Sequence, residues 1–229
     1  MIAAALRKTE PFRDMDRDAL RAIACQATDR PLVAGEALFE QGEPAERFFL
    51  ALGGRLKATM IVPDGKQVLL QLINPGDFCG LASVLACTEY QATCRAIVAT
   101  SVLAWPTSYW GTLFEGHPRI AVSLTQALGR HVAEVQTRIA EFATQPVERR
   151  VANAVLRLVR SAGTPTEGGV RVDFPITRQD LAELTASTLH SVSRIVSAWC
   201  GLGILGRGRA CLVVRDLAAL ERIARGDSG

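Results

Sequence analysis

The period of the apolar residues changes twice along the chain, and each change marks a new kind of element. Residues 11–27, PFRDMDRDALRAIACQA, put Leu20, Ile23 and Ala24 at helical spacing and predict a short helix. From about residue 30 to 107 the pattern becomes short apolar runs: ALF, RFFLAL, LKATMIV, VLLQLI, FCGLASVL, CRAIVAT and SVLAWP. Glycine turns separate them at Gly35, Gly42, Gly53–Gly54, Asp64–Gly65 and Pro75–Gly76. Short strands with this regular punctuation predict an all-β roll or barrel. Asp64–Gly65, between IVP and KQVLL, predicts a hairpin. Residues 118–143 return to a helical period. Pro118 suits a first turn, and Leu128, Val132, Val135, Ile139 and Phe142 recur at alternating spacings of 4 and 3. So narrow a stripe is a coiled-coil seam of about two heptads and predicts a parallel homodimer contact.

Thr144–Gln145–Pro146 breaks this helix and marks a hinge. VERRVANAVLRLVRSAG reads as another helix, with Val151, Val155, Leu158 and Val159 on one face. GTPTEGG reads as a loop, VRVDFP as a short strand, and GILGRGRACLVV as a hairpin with an arginine-rich turn. Between them, ITRQDLAELTASTLHSVSRIVSAW reads as two helices around a tight turn. Thr177 is a natural N-cap, and Asp180 stabilises the first turn. Leu181 and Leu184 face a core, and Ala186 is small where the turn sits, although glycine is more usual there. A second helix begins near Ser187–Thr188. It sends Val192, Ile195, Val196 and Trp199 inward and Leu189, His190, Ser191, Ser193 and Arg194 outward. A helix-turn-helix needs this division, with an apolar side to hold the reading helix and a polar side to meet base edges. Arg194 can pair bidentately with a guanine edge. Ser191 and Ser193 can bond phosphate or base, and Arg207 and Arg209 can meet phosphates as a wing. Arg178 and Thr188 complete the set of candidate DNA contacts.

Charge sharpens this picture. The 26 basic and 23 acidic residues leave a net charge of only +3. Residues 145–229, however, hold 12 Arg and no Lys against 8 acids, and the remainder is close to balanced. Basic charge gathered in one segment is what phosphate contact needs. The 48% hydrophobic content supports real cores. No apolar run is long enough to span a membrane, and the N-terminus lacks the form of a signal peptide, so a cytoplasmic location is expected. The six cysteines, at 25, 79, 87, 94, 200 and 211, form no CxxC pair. They read as reduced, buried small hydrophobes, and no metal site is assigned. Walker A, HExxH and GxSxG patterns are absent, and the three histidines fall in different elements. An enzyme is therefore not expected. The winged-helix segment also argues against a small-molecule-binding module that never meets DNA.

The order of roll, long helix and helix-turn-helix resembles one family. So do GEALFEQGEPAERFFLALGGRLK (35–57), INPGDFCG (73–80), VERRVANAVLRL (147–158) and ITRQDLAELTASTLHSVSRIV (176–196). It is the family of the cyclic AMP receptor protein and the fumarate and nitrate reduction regulator (Crp/Fnr). The resemblance implies an α+β chain. An N-terminal cyclic-nucleotide-binding-type β-roll (a jelly roll) would occupy 1–117, a dimerisation helix and hinge 118–145, and a winged helix-turn-helix 146–229. It further implies a homodimeric transcription factor on pseudo-palindromic double-stranded DNA, with RNA polymerase as a partner. Activation is the commoner mode in the family.

Departures from the family pattern bear on the signal. Members that bind cyclic AMP carry Gly-Glu-Leu after the PGDF segment and an Arg-Ser pair about ten residues later; the arginine neutralises the phosphate. Here those places hold Gly80–Leu81–Ala82 and Tyr90–Gln91, and no arginine lies between Arg55 and Arg95. The purine-facing hydroxyl pair on the long helix is Val135–Gln136. Cyclic AMP binding is not expected. The cysteine pattern does not match an iron–sulfur cluster either. Cys79 sits where the carbon monoxide sensors hold a haem-ligating cysteine, and the TQPVERRVA hinge resembles nitrogen-oxide-responsive members. Haem remains open, with Cys79, His131 and His117 as candidate ligands. A small organic effector, redox control at Cys79, Cys87 or Cys94, and control without a ligand remain open too. An effector pocket would comprise Cys79, Gly80, Leu81, Ala82, Tyr90, Gln91, Val132, Val135 and Gln136. On the reading helix, His190 stands where many members have a glutamate and Leu189 where the cyclic AMP branch has an arginine. Ser193–Arg194 matches the oxygen-regulator branch.

Overall fold

The computed structural model describes residues 2–82, 87–206 and 212–227. The chain forms two compact units, Met1–Ala133 and Glu134–Gly229, and the long helix α4 (Pro118–Thr144, the fourth in chain order) crosses their boundary.

The first unit opens with α1 (Ile2–Leu6) and α2 (Arg17–Cys25). The helix expected over 11–27 is shorter than its apolar pattern suggests. Pro11 and Phe12 lie in a separate 3-10 turn, and α2 starts only after Asp16. The Asp16 carboxylate accepts from the Asp18 and Ala19 N–H groups at 3.0 and 2.8 Å, which fixes the helix start there. Eight strands follow: β1 (Thr28–Leu32), β2 (Ala37–Phe39), β3 (Arg47–Gly53), β4 (Leu56–Ile61), β5 (Gln67–Ile73), β6 (Phe78–Cys79), β7 (Thr93–Ala96) and β8 (Thr100–Pro106). They make two antiparallel sheets, ordered β1-β8-β3-β6 and β2-β7-β4-β5. This is the roll that the strand pattern predicts. The Asp64–Gly65 hairpin joins β4 to β5. There the Val62 N–H donates to Lys66 O at 3.0 Å, and Gly65 takes the left-handed φ of 80° that the turn demands.

Strand β3 shows why its run FFLAL is apolar on both sides. Phe49 and Ala51 face one core, inside the roll, with Leu32, Phe39, Leu56, Cys79, Tyr90 and Cys94. Phe48 and Leu50 face a second core, with Phe12, Ile23, Trp105, Trp110 and Leu124. Side chains alternate across a strand, so one strand supplies both cores. Helix α2, the short α3 (Trp110–Gly116) and the first turns of α4 close the second core. Trp110 stacks on Phe48 at 3.8 Å, and the Trp105 indole N–H donates to Ile23 O at 3.0 Å. Full burial of each such side chain contributes about 1.5–3 kcal/mol.

The second unit continues from α4 into α5 (Val147–Ala162), β9 (Gly163–Thr166), β10 (Gly169–Val172), α6 (Arg178–Leu184), α7 (Leu189–Gly201), β11 (Val213–Val214) and α8 (Leu217–Arg225). The GTPT segment, expected as loop, is strand β9. It pairs with β10 from Gly163↔Val172 to Thr166↔Gly169, and β11 completes a small sheet. Its exposed Thr-Pro-Thr has no apolar alternation to announce a strand. The pairing follows from β10 lying beside it, and on the other side of β10 Gly169, at φ 123°, lies so close to Val214 O of β11 that a Cβ would sit 2.1 Å away. Val151, Val155 and Leu158 of α5 pack in the core of this unit with Leu181, Val192, Trp199, Leu212 and Leu220.

Candidate nucleic-acid interface and sensor interior

Helix α6 begins with a reciprocal cap. Thr177 Oγ1 accepts from the Asp180 N–H at 3.0 Å, and Asp180 Oδ2 accepts from the Thr177 N–H at 2.9 Å. Helix α6 ends at Leu184, and Thr185–Thr188 lead into α7. Ala186 adopts φ 47°, the one positive φ of a non-glycine residue among the described residues. A left-handed alanine costs about 1–2 kcal/mol. That is the cost of holding this turn without a glycine. Thr188 caps α7, accepting from the Ser191 N–H at 3.2 Å while its hydroxyl donates to Ser191 Oγ at 3.0 Å.

Helix α7 divides as its pattern predicts. Val192, Val196 and Trp199 are buried, and Ile195 is half-buried. The Trp199 indole N–H donates to Glu148 of α5 at 3.1 Å, which fixes the back of the reading helix to its scaffold. Outward stand Leu189, 49% exposed, and the exposed His190 and Arg194. Ser191 and Ser193 are half-buried. Ser191 is engaged by the Thr188 cap, and the Arg178 guanidinium donates to Ser193 O at 3.5 Å. The exposed N-terminal part of α7 is therefore Leu189, His190 and Arg194, bordered by Arg178 and Thr188. Arg207 and Arg209 of the expected wing, and Cys211, lie outside the described residues. The sheet that would carry the wing is present: the Gly206 N–H donates to Val213 O at 2.8 Å.

In the roll, Cys79, Ala82 and Tyr90 of the expected pocket gather in one apolar cluster. Gly80 adjoins them at φ 71°, so close to Phe49 that a Cβ would sit 2.9 Å from the ring. Leu81 turns the other way and packs on the outer core, and Gln91 is exposed. Tyr90 fills the interior. Its ring stacks on Phe39 at 3.9 Å, Phe39 stacks on Phe49 at 5.6 Å, and the Tyr90 hydroxyl donates to Arg47 O at 2.7 Å. The arginines that flank this segment in sequence are committed elsewhere. Arg55 bonds Asn74, while Arg95 pairs with Glu40 at 2.8 Å and donates to Gly35 O at 2.8 Å. A hydrogen bond to Cys94, together with burial, pushes the Cys79 thiol well above its ordinary pKa. Both cysteines lie in the buried cluster inside the roll. His117 lies near Asp16, whose carboxyl it helps hold low, and His131 is half-buried on α4. Among the described residues no three His, Cys, Asp or Glu side chains gather to hold a metal ion. Cys79 is buried in the roll with Phe39, Phe49 and Tyr90.

Along α4, Val132, Val135 and Ile139 are 48%, 36% and 60% exposed, an apolar row with no cover in a single chain. Gln136 is exposed, and Leu128 and Phe142 are half-buried.

Residues 29–117 match the cyclic nucleotide-binding domain and residues 149–223 the Crp-like helix-turn-helix domain, together well over half of the chain. The chain belongs to the Crp/Fnr family of transcriptional regulators. It is 23% identical over 214 residues to the CRP-like cAMP-activated global transcriptional regulator of Mycobacterium tuberculosis, covering 93% of this chain and 96% of that protein. To the cyclic AMP receptor protein of Thermus thermophilus it is 28% identical over 192 residues, covering 84% and 86%. Its fold is that of FixK2 from Bradyrhizobium japonicum, with a TM-score of 0.74, 24% identity and coverage of 86% and 96%. The c-di-GMP responsive global regulator CLP of Xanthomonas campestris shares the fold, with a TM-score of 0.77, 16% identity and coverage of 88% and 100%. The Mycobacterium tuberculosis relative is named as a global transcriptional regulator and the Xanthomonas campestris one as a global regulator.

In this Crp-like regulator a second group of residues escaped the sequence reading. Arg138 and Glu141, on the seam helix between apolar positions, look like solvated charges, yet they are only 8% and 6% exposed. Arg157 Nη1 of α5 donates to Glu141 at 2.7 Å. Phe142, placed in the seam by its spacing, has its ring between the guanidinium groups of Arg138 and Arg150, at 5.8 and 5.6 Å. Their pairing across two helices leaves no local signal.

Proposed function

We propose that this regulator acts as a homodimer on pseudo-palindromic promoter DNA. In this reading the outward face of α7 enters the major groove, and the protein activates transcription together with RNA polymerase in the cytoplasm. The observation that carries this is the capped α7, whose buried side is anchored through Trp199 and whose other side presents Leu189, His190 and Arg194. The exposed row Val132, Val135 and Ile139 supports pairing with a second copy through α4. Two reading helices must lie about 34 Å apart to meet successive turns of one DNA face. Gel shifts on palindromic promoter fragments, run against salt and with sedimentation of the free protein, test the dimeric reading. A monomer, or binding indifferent to sequence, would overturn it. Transcription assays with purified RNA polymerase test activation; repression from the same site would reverse its sign.

The signal in this reading is a small organic effector other than cyclic AMP. The two relatives described above are named for cyclic AMP, and Tyr90 is the reason not to carry that effector over. A stacked aromatic occupies the place where a phosphate would need a cation. Calorimetry with cyclic AMP should give no micromolar binding, and a saturable micromolar isotherm would overturn this. Cysteine control is a second reading, favoured by the placement of Cys79 and Cys94 in one cluster. Disulfide mapping after treatment with an oxidised small-molecule disulfide tests it.

A further inference from the structure

The last turns of α4 are tied at three successive levels. At the first, Arg138 Nη2 donates to Leu184 O at 3.3 Å, at the C-terminal end of α6. A cation there meets the unsatisfied carbonyls and the negative pole of that helix. At the second, Phe142 lies between Arg138 and Arg150, and Arg150 Nη2 donates to Ser187 Oγ at 3.3 Å. Glu141 adds its ion pair with Arg157 at this level. At the third, the Asn153 side-chain amide donates to Gln145 Oε1 at 2.9 Å. Residues 138, 141 and 142 share one face of α4, because they recur at spacings of three and four, and Gln145 directly follows the last residue of the helix.

Two of these contacts end on the turn between α6 and α7. Leu184 O and Ser187 Oγ bracket Ala186, the strained left-handed residue. The turn is thus held from α4 by one guanidinium and from α5 by the other, with a single aromatic ring between them. Guanidinium groups suit this role because a planar cation can stack on a ring and still donate at its edge.

We propose that Arg138, Phe142 and Arg150 are positioning residues that lock the turn of the reading helix pair to the dimer helix, so that the direction of α4 sets the spacing and rotation of the two reading heads. The proposal rests on the dimeric DNA-reading function above. It assigns none of the three a base contact. Their effect acts on the geometry between half-sites and leaves the reading of each half-site alone.

The test uses the full-length protein and a set of operators in which the two half-sites are moved apart or together by one and two base pairs. Each added base pair rotates one half-site by about 35° relative to the other. The parent protein should prefer its best spacing over the neighbouring ones by about tenfold or more. Arg138→Gln, Arg150→Gln and Phe142→Leu should cut that preference to within about threefold, while base preference inside a half-site and the dimer by sedimentation stay unchanged. Arg150→Lys keeps the charge but loses the planar stack, and should give only partial recovery. Ser187→Ala, a small change at the turn, should flatten the preference more weakly without lowering the melting temperature. A full spacing preference in all of these variants would overturn the proposal. So would equal losses at every spacing, or losses that track the melting temperature. A parent protein that is monomeric, or that shows no spacing preference, would instead remove the dimeric reading and the proposal with it.

Discussion

The roll and the reading head solve opposite problems with the same kind of residue. Inside the roll, a polar-tipped aromatic is turned inward: Tyr90 stacks on Phe39 and satisfies its hydroxyl on Arg47 O. In the reading head, Trp199 is also buried with its N–H satisfied, on Glu148, but there it serves as an anchor that leaves the opposite side of α7 to solvent. The roll closes on itself, whereas the head is closed behind and open in front. A site that must exclude water packs its polar groups against each other. A site that must meet a polyanion keeps its own groups exposed and spends the packing on stiffness. The two halves of a sensor and reader can thus be told apart by the direction in which their buried aromatics point.

That contrast predicts where substitutions act. The largest effect is expected outside both regions, on the row that would join two copies. Ile139→Asp puts a charge in the seam and should leave a monomer by sedimentation, with operator affinity down by about 100-fold or more. A stable dimer in this variant would move the interface elsewhere. Next, Tyr90→Ala should destabilise the roll by about 3 kcal/mol in urea melts while leaving half-site preference intact. An unchanged midpoint would mean that the ring is not a structural plug. Arg194→Ala should do the reverse. It should cost about 1–3 kcal/mol of specific binding and relax one base position, with the melting temperature unmoved. Retained sequence preference would take Arg194 out of the readout. Smaller still, Thr177→Ala should lower stability by about 1 kcal/mol through the lost cap. Ala186→Gly should raise it by a similar amount if its left-handed φ is truly strained; a loss instead would show that the methyl packs. The smallest effect is chemical. Native protein treated briefly with iodoacetamide near neutral pH should be labelled at the exposed Cys25, while Cys79 and Cys94 stay unmodified. Rapid labelling of Cys79 would show that the roll interior opens.

Much of the fold was legible because it is local. Strand runs, glycine turns, the hairpin at Gly65, the stop at Pro146, the cap at Thr177 and the helix start near Ser187–Thr188 each follow from a few adjacent residues. The buried side of α7 was legible for the same reason, since a helix of known period has only one inside and one outside, although Ser191 and Ser193, read as outward, are half-buried. Strand β9 was missed because an exposed Thr-Pro-Thr becomes a strand only when β10 lies beside it. The start of α2 was misplaced because the apolar spacing over 11–27 outweighed the cap at Asp16.

By itself the sequence determined the order of roll, long helix and helix-turn-helix, the buried side of α7 and the apolar row on α4, because period and capping are set within a few residues of chain. Only the tertiary structure decided that Tyr90 packs inside the roll, that Cys79 and Cys94 share its buried cluster, and that Arg138 and Glu141 are buried. Each of those depends on which distant group arrives beside it. A charge or an aromatic ring has no fixed meaning until its neighbours settle whether water, an opposite charge or another ring will surround it.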